Sequence, residues 1–270
     1  MLQNYFFLNR FLIDLKPYLE GSTIREIFSQ EKSQLVMVFS KANEVYYLEM
    51  CVIPGDSYLN LRKTYSRAKK NTVNFFEELI DREISSIEIA ENDRVVRFSF
   101  SESSLFYTIR GKLTNILYFD HEDIVSSFKS LSEGDLLNIK HEFNDLNFIS
   151  GWNLLNIRTD AVKDSIDSIK KKYPFLGTEI VKEVKARLKT DDADEKLKIF
   201  DEVLNEVKES KPCVFINEPE QEVHIGFEHF ISNPFSEKKI FGNTPEAVNF
   251  LLSKKHFLSY KHSKLNALQK

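Results

Sequence analysis

Apolar and polar positions alternate with the period of a strand through Val95-Val96-Arg97-Phe98-Ser99-Phe100, with Val96, Phe98 and Phe100 on one side. After a polar break at 101–104, Leu105, Tyr107 and Ile109 repeat the pattern, and Gly111-Lys112 supplies a turn before 115–120. Three consecutive strands are predicted. The pair Asp93-Arg94 fits poorly, because parity puts Arg94 on the side of Val96 and Phe98, the side expected to be buried. An arginine there is either paired or directed into a site at the strand's end. The plainer alternative is that Asn92-Asp93 makes a turn and Arg94 caps the sheet edge.

Upstream, Leu8, Leu12, Leu15 and Leu19 form one stripe with Phe7 and Phe11 beside it. This predicts an amphipathic helix over 5–19, distorted by Pro17 and stopped at Gly21. Strands over 24–30, 35–40 and 44–52 follow as a meander, with Tyr46, Leu48, Met50 and Val52 facing one way. Tyr65, Ala68, Thr72, Phe76 and Leu79 then carry helical spacing and predict a second amphipathic helix with a basic first half. Arg62, Lys63, Arg67, Lys69 and Lys70 are the densest basic patch of the N-terminal half. Such a run is either a solvated helix face or a surface that holds phosphates, positioning a nucleic acid without reading its sequence.

Over 132–208 the signal turns helical, through Leu136-Leu137, then Val162, Ile166 and Ile169, then Ile180, Val184 and Leu188, then Leu197, Phe200 and Leu204. Pro174 separates two of these helices, Thr178 is the expected N-cap of the second, and Lys171 and Lys172 belong to a basic cluster flanking the turn. Two late strands over 212–217 and 222–231 are expected to rejoin the first sheet. Thr244-Pro245 then opens a last helix. Leu251, Leu258 and Leu265 recur every seven residues along it, interrupted by Lys254 and Lys261, which predicts a coiled coil continuing in a longer chain. The division expected is a β-rich lobe over 1–128, a helical lobe over 129–210, returning strands over 211–243 and the start of a coiled coil over 244–270.

Composition narrows the function classes. With 42% apolar residues and 23 phenylalanines, the 270-residue chain has ample core. Its net charge of −4 means that nucleic-acid binding must rest on a local basic patch. Cys51 and Cys213 stand far apart in sequence, which fits a reducing compartment and offers no cysteine cluster for zinc. No apolar run has the length of a membrane span and no secretion signal opens the chain, so a cytoplasmic protein is expected. Phosphate-loop, HExxH and GxSxG motifs are missing and the histidines lack metal-ligand spacing. No enzyme, cofactor or metal is expected.

Several segments resemble one family when taken together. They are Gly21 to Ile27 continuing through Phe28-Ser29-Gln30, then Ala68-Lys69-Lys70-Asn71, Asp93-Arg94-Val95-Val96, Gly111-Lys112-Leu113-Thr114-Asn115-Ile116 and Pro245-Glu246-Ala247-Val248-Asn249. Their order and spacing are similar to the N-terminal NFACT domain of ribosome-associated quality-control factors, which include RqcH and NEMF and whose bacterial members were labelled fibronectin-binding protein A. The resemblance implies an α+β fold like that of formamidopyrimidine-DNA glycosylases, a β-rich lobe followed by a helix–two-turn–helix lobe. It implies binding to tRNA and to the large ribosomal subunit with an obstructed peptidyl-tRNA, and tRNA recruitment for C-terminal tailing of the nascent chain. It also implies tRNA recognition by Asp93 and Arg94, where a guanidinium at a strand end can fork onto phosphate or base edges. Two departures stand out. The chain begins Met1-Leu2-Gln3-Asn4 and not with the proline nucleophile and glutamate of the glycosylases, and Asn4 or a neighbour replaces an acidic residue common in quality-control factors. The leading expectation is a non-catalytic RNA-binding module, with phosphates held by the basic run 62–70 and by Lys171 and Lys172. A fibronectin-binding surface adhesin and a glycosylase-like DNA-binding protein are the alternatives.

Overall fold

The computed structural model describes residues 2–152, 166–189, 192–217, 222–232 and 237–268. They divide into two compact units, Leu12–Asn153 and the pair of segments Met1–Phe11 with Leu154–Lys270. The boundary falls inside the first helix, and residues 129–152, expected in the helical lobe, belong with the β-rich unit. The fold is α+β.

The first helix, α1 (Tyr5–Leu19), has the expected span and contains Pro17. Its first turn is buried all round, Tyr5, Phe6, Phe7 and Leu8 alike, so the apolar surface is wider than the leucine stripe alone suggests. Strands β1 (Thr23–Glu31), β2 (Gln34–Lys41) and β3 (Glu44–Cys51) form the predicted meander, and a fourth strand that was not expected, β4 (Tyr58–Arg62), extends it. A two-residue strand β5 (Val73–Asn74) pairs with the far side of β1, giving the order β4-β3-β2-β1-β5. The basic helix predicted over 61–79 does not form. Arg62 ends β4, residues 63–72 are irregular, and a single 3-10 turn stands at Glu77–Leu79. The helical spacing there was a coincidence of burial: Tyr65 packs on Phe28 of β1 and Tyr47 of β3, while Phe76 is buried from a left-handed backbone (φ 50°) that no helix allows.

A second sheet follows the meander β6 (Ser86–Ala90), β7 (Val95–Ser99), β8 (Ser103–Thr108), β9 (Asn115–Asp120) and β10 (Asp123–Ser127). Helix α2 (Glu133–Asn144) and strand β11 (Phe148–Ile149), which pairs with β6, complete this part. Ser132 caps α2 by accepting from the Asp135 amide at 3.1 Å. The helix buries Ile139 and Phe143 rather than the expected Leu136 and Leu137, and Leu137 is exposed. Phe143 stacks on Phe119 and meets Phe106 edge-on. This cluster also takes in Val95, so both faces of the second sheet are covered, Val95 on one and Val96 with Phe98 on the other. Within this unit, the buried Tyr107 hydroxyl of β8 joins the two sheets by donating to the Cys51 carbonyl at 2.7 Å and the Tyr58 carbonyl at 3.1 Å.

The other unit contains helices α3 (Ile166–Lys172), α4 (Gly177–Arg187) and α5 (Ala193–Glu209), with a 3-10 turn at Pro174–Leu176 between the first two. This is the helix–turn–helix arrangement expected around Pro174; Val162 lies outside the described residues. Leu176, not Thr178, occupies the N-cap position of α4, because the turn runs straight into the helix. Asn4 binds this turn. Its amide donates to the Leu176 carbonyl at 2.7 Å while its oxygen accepts from the Phe6 and Phe7 amides, capping α1. A Cβ on Gly177 would come within 2.3 Å of the Asn4 amide nitrogen, and the Gly177 φ of +70° also favours glycine.

Strands β12 (Pro212–Asn217), β13 (Glu222–Phe227) and β14 (Glu237–Ile240) make a separate sheet of order β13-β12-β14 instead of rejoining the first. Helix α6 (Thr244–Leu268) carries Pro245 in its first turn, but Asn243, not Thr244, caps it. The Asn243 oxygen accepts from the Glu246 amide at 2.9 Å, and the Asn243 amide donates to the Glu246 carboxylate at 3.1 Å, a reciprocal cap. Leu251 and Leu258 are buried, while the Leu265 side chain lies outside the described residues.

Candidate functional site

The hairpin between β6 and β7 is tight. Asn92 takes a positive φ of 66°, and the Asp93 amide donates to the Ala90 carbonyl at 3.2 Å. Asn92-Asp93 therefore makes the turn that its residue types predict. Strand pairing begins at Val95, opposite Thr108, so Arg94 precedes the regular strand and its expected parity with Val96 and Phe98 does not apply. Arg94 is half-buried, neither sealed in the core nor fully solvated, and its carbonyl accepts from the Ile109 amide at 2.9 Å.

The carboxylate of Asp93 is held from two directions. One oxygen accepts from the Arg94 backbone amide at 2.6 Å. The other accepts from Arg110, through Nε at 3.0 Å and through Nη2. Arg110 also binds Glu142 of α2 through Nη1 and lies over the Phe143 ring, 5.2 Å from its centroid. Its side chain is only 18% exposed. A fork-shaped cation held by two carboxylates and an aromatic face is fixed in orientation, and it fixes Asp93 in turn.

What aims Arg110 is the turn that follows it. Gly111 takes a φ of 58°, a 3-10 turn spans Gly111–Leu113, and the Thr114 hydroxyl accepts from the Arg110 amide at 3.1 Å. Asn115 is fully buried. Its side chain accepts from the Lys129 amide and donates to the Lys129 carbonyl, each at 2.8 Å. The Gly111–Ile116 segment and the Asp93-Arg94 pair are thus parts of one construction. Arg110 joins two carboxylates there, with Arg94 next to Asp93 and Lys112 in the turn after Arg110. Sequence reasoning missed Arg110, since nothing local to it points to a partner seventeen residues back.

The basic run 62–70 divides in two. Arg62 binds the buried Glu49 at 2.9 Å and lies over Tyr65; Arg67 binds Glu26 and Asn74 and lies 4.4 Å above the Phe28 ring. These two arginines strap the irregular stretch onto the outer face of the first sheet, above Phe28, Val36 and Val38. Lys63, Lys69 and Lys70 are exposed and form no ion pair among the described residues. The two arginines thus carry acidic partners that these three lysines lack. The clusters at 62–70 and 93–94 stand on different sheets of the same unit. Lys171 and Lys172 close α3 in the other unit, both exposed, with Lys172 over the Tyr173 ring. Among the described residues no group of three or more His, Cys, Asp or Glu side chains could hold a metal ion. None of the described helices is long and apolar enough to cross a membrane.

Comparison with known proteins bears on the whole of this architecture. Two solved structures share the fold. The fibrinogen-binding protein from Staphylococcus aureus matches with a TM-score of 0.68 and 18% identity, over 92% of this chain and 98% of its own. The N-terminal part of the fibronectin/fibrinogen-binding protein from Streptococcus suis matches with a TM-score of 0.65 and 17% identity, over 93% and 99%. No curated protein matches the sequence. The family model described as NFACT N-terminal and middle domains matches residues 4–250, taking in the Asp93 turn, the Gly111 turn and the Asn243-capped helix start. With that match spanning nearly its full length, the chain belongs to the NFACT N-terminal and middle domain family.

Proposed function

We propose that this chain is the tRNA-binding and large-ribosomal-subunit-binding module of a ribosome-associated quality-control factor. It would act in the cytoplasm on stalled ribosomes, without making or breaking a covalent bond. The observation that carries the reading is the Asp93–Arg110 pair. Arg110 holds the Asp93 carboxylate, and the half-buried Arg94 follows it at the start of β7 on a backbone fixed by the Asp93 cap and the Ile109 amide. A pre-organised arginine binds a planar phosphate or base edge with little further loss of freedom. Lys63, Lys69 and Lys70 add charge without sequence information, and Lys171 with Lys172 supplies a second basic patch.

The test is Arg94→Ala in a tRNA-binding titration, accompanied by thermal melting. Loss of tRNA binding with an unchanged melting temperature is the expected result. Unchanged binding, or a domain that unfolds, refutes the assignment of Arg94.

A second reading, binding to fibronectin at the cell surface, is favoured by the names of solved structures of similar fold. Saturable binding to immobilised fibronectin that survives Arg94→Ala would establish it. A glycosylase-like activity is disfavoured by Asn4, whose side chain is spent capping α1 and binding the Leu176 carbonyl. Borohydride treatment with abasic DNA is expected to trap no adduct.

A further inference from the structure

Within the unit Leu12–Asn153 a groove of about 460 Å³ opens where β1 ends and the irregular basic stretch meets β5. Its apolar wall is Phe75 against Phe128, ring centroids 5.0 Å apart at 69°. Both rings are half-exposed. The adjoining Phe76 adopts a left-handed backbone (φ 50°, ψ 48°), a conformation that costs a bulky residue energy and persists where its surroundings impose it. Phe76 is buried while Phe75 stays in the groove.

Two lysines flank these rings. The Lys129 ammonium donates to the Val52 carbonyl at 3.2 Å and meets no carboxylate among the described residues. Burial pulls its pKa below the ordinary lysine value. Lys32 is exposed and makes no ion pair among the described residues. Glu31 is the single carboxylate of the lining. Asn71, on the lip, directly follows Lys69 and Lys70.

We propose that this groove holds one unpaired nucleotide of a single-stranded RNA. The base would lie against Phe75 and Phe128, the phosphates at Lys32 and Lys129, and the next phosphate at Lys69 and Lys70. The volume is within the range that small ligands occupy. Aromatic faces with lysines beside them are the usual means of holding single strands without reading sequence, whereas a paired base is stacked in its duplex and cannot enter. The Asn71 side chain, with no hydrogen bond among the described residues, can both donate to and accept from a base edge. This proposal rests on the RNA-binding reading above and locates a contact separate from Arg94.

Fluorescence anisotropy of the whole chain with a labelled single-stranded RNA octamer, its duplex and tRNA tests it. Phe75→Ala is expected to weaken the single strand roughly tenfold and leave the duplex unchanged. Phe75→Leu, which keeps an apolar side chain but not the ring, is expected to follow it, and unchanged duplex binding in both variants excludes a folding defect. Lys32→Ala with Lys129→Ala should flatten the salt dependence for the single strand by about 1.4 in logarithmic slope. Single-strand binding equal to duplex binding, or unaltered in both Phe75 variants, overturns the groove. If Arg94→Ala still abolishes tRNA binding in that case, the broader RNA reading stands. Competition by polyglutamate as effective as that by RNA also overturns the groove, since its charge alone would then be at work.

Discussion

Two arginine–carboxylate networks, one in each unit, use the same chemistry to different ends. In the unit that holds the helix–turn–helix, Glu183 of α4 is fully buried and accepts from the Ile231 amide at 3.0 Å and the Ser232 amide at 2.9 Å. Arg187, one turn along, donates to Glu183 at 2.7 Å, to both oxygens of Glu206 on α5 at 2.7 Å, and to the His229 carbonyl at 2.9 Å. Each charged group there has several hydrogen-bond partners and is largely shielded from water, and the result is a clasp between two helices and the segment after β13. The Asp93–Arg110–Glu142 network is looser, with Glu142 57% exposed and Arg94 beside it. A sealed network specifies structure, whereas one on a rim can orient a neighbour toward a ligand.

Breaking the sealed clasp should have the largest effect. Glu183→Ala leaves Arg187 without one of its two carboxylates and two buried amides without their acceptor. A loss of about 3–5 kcal/mol is expected by denaturant titration. Arg110→Ala sharpens the contrast. It should cost only about 1–2 kcal/mol, because water reaches this rim, yet weaken tRNA binding as severely as Arg94→Ala by releasing Asp93. If Arg110→Ala destabilises as much as Glu183→Ala and binding survives, the two networks are alike and the functional reading of the rim fails.

Acid offers a third measurement. Burial raises the Glu183 pKa, but the Ile231 and Ser232 amides and Arg187 more than reverse this, so the folded value lies below the ordinary carboxylate range. A carboxylate depressed in the folded state contributes stability above its unfolded pKa, about 4.3, and that stability drains away as pH falls through the folded value. Stability curves of the parent and Glu183→Gln should therefore converge as the pH drops below about 4. The smallest effect is expected from Lys63→Ala, Lys69→Ala and Lys70→Ala combined. Folding should be untouched, and the logarithmic salt slope of tRNA binding should fall by about 2.

The elements most readable in the sequence are those whose partners are near in the chain. The α1 span, strands β1 to β3, strands β7 to β9 and the Asn92 turn follow from spacing and turn chemistry over a few residues. The same reasoning misread 61–79, where Phe76 and Leu79 are indeed buried and Tyr65 half-buried, but by a sheet face and a left-handed turn, not by a helix. Thr244 looked like a cap by type alone, while Asn243 beside it makes the bonds.

The amino-acid order by itself settled the α+β class, the strand-rich first half, the helical stretch around Pro174 and the kinship carried by Asp93-Arg94 and Gly111–Ile116. Only the tertiary structure decided that Arg110 reaches back to Asp93, that two of the five basic residues in 62–70 are consumed by Glu49 and Glu26, and that Asn4 clasps the turn before Gly177. The physical reason is common to all three. Backbone propensity and periodicity act over one or two turns of chain, whereas a charged side chain finds its partner through strand register and helix docking, which bring distant residues together and leave no local trace.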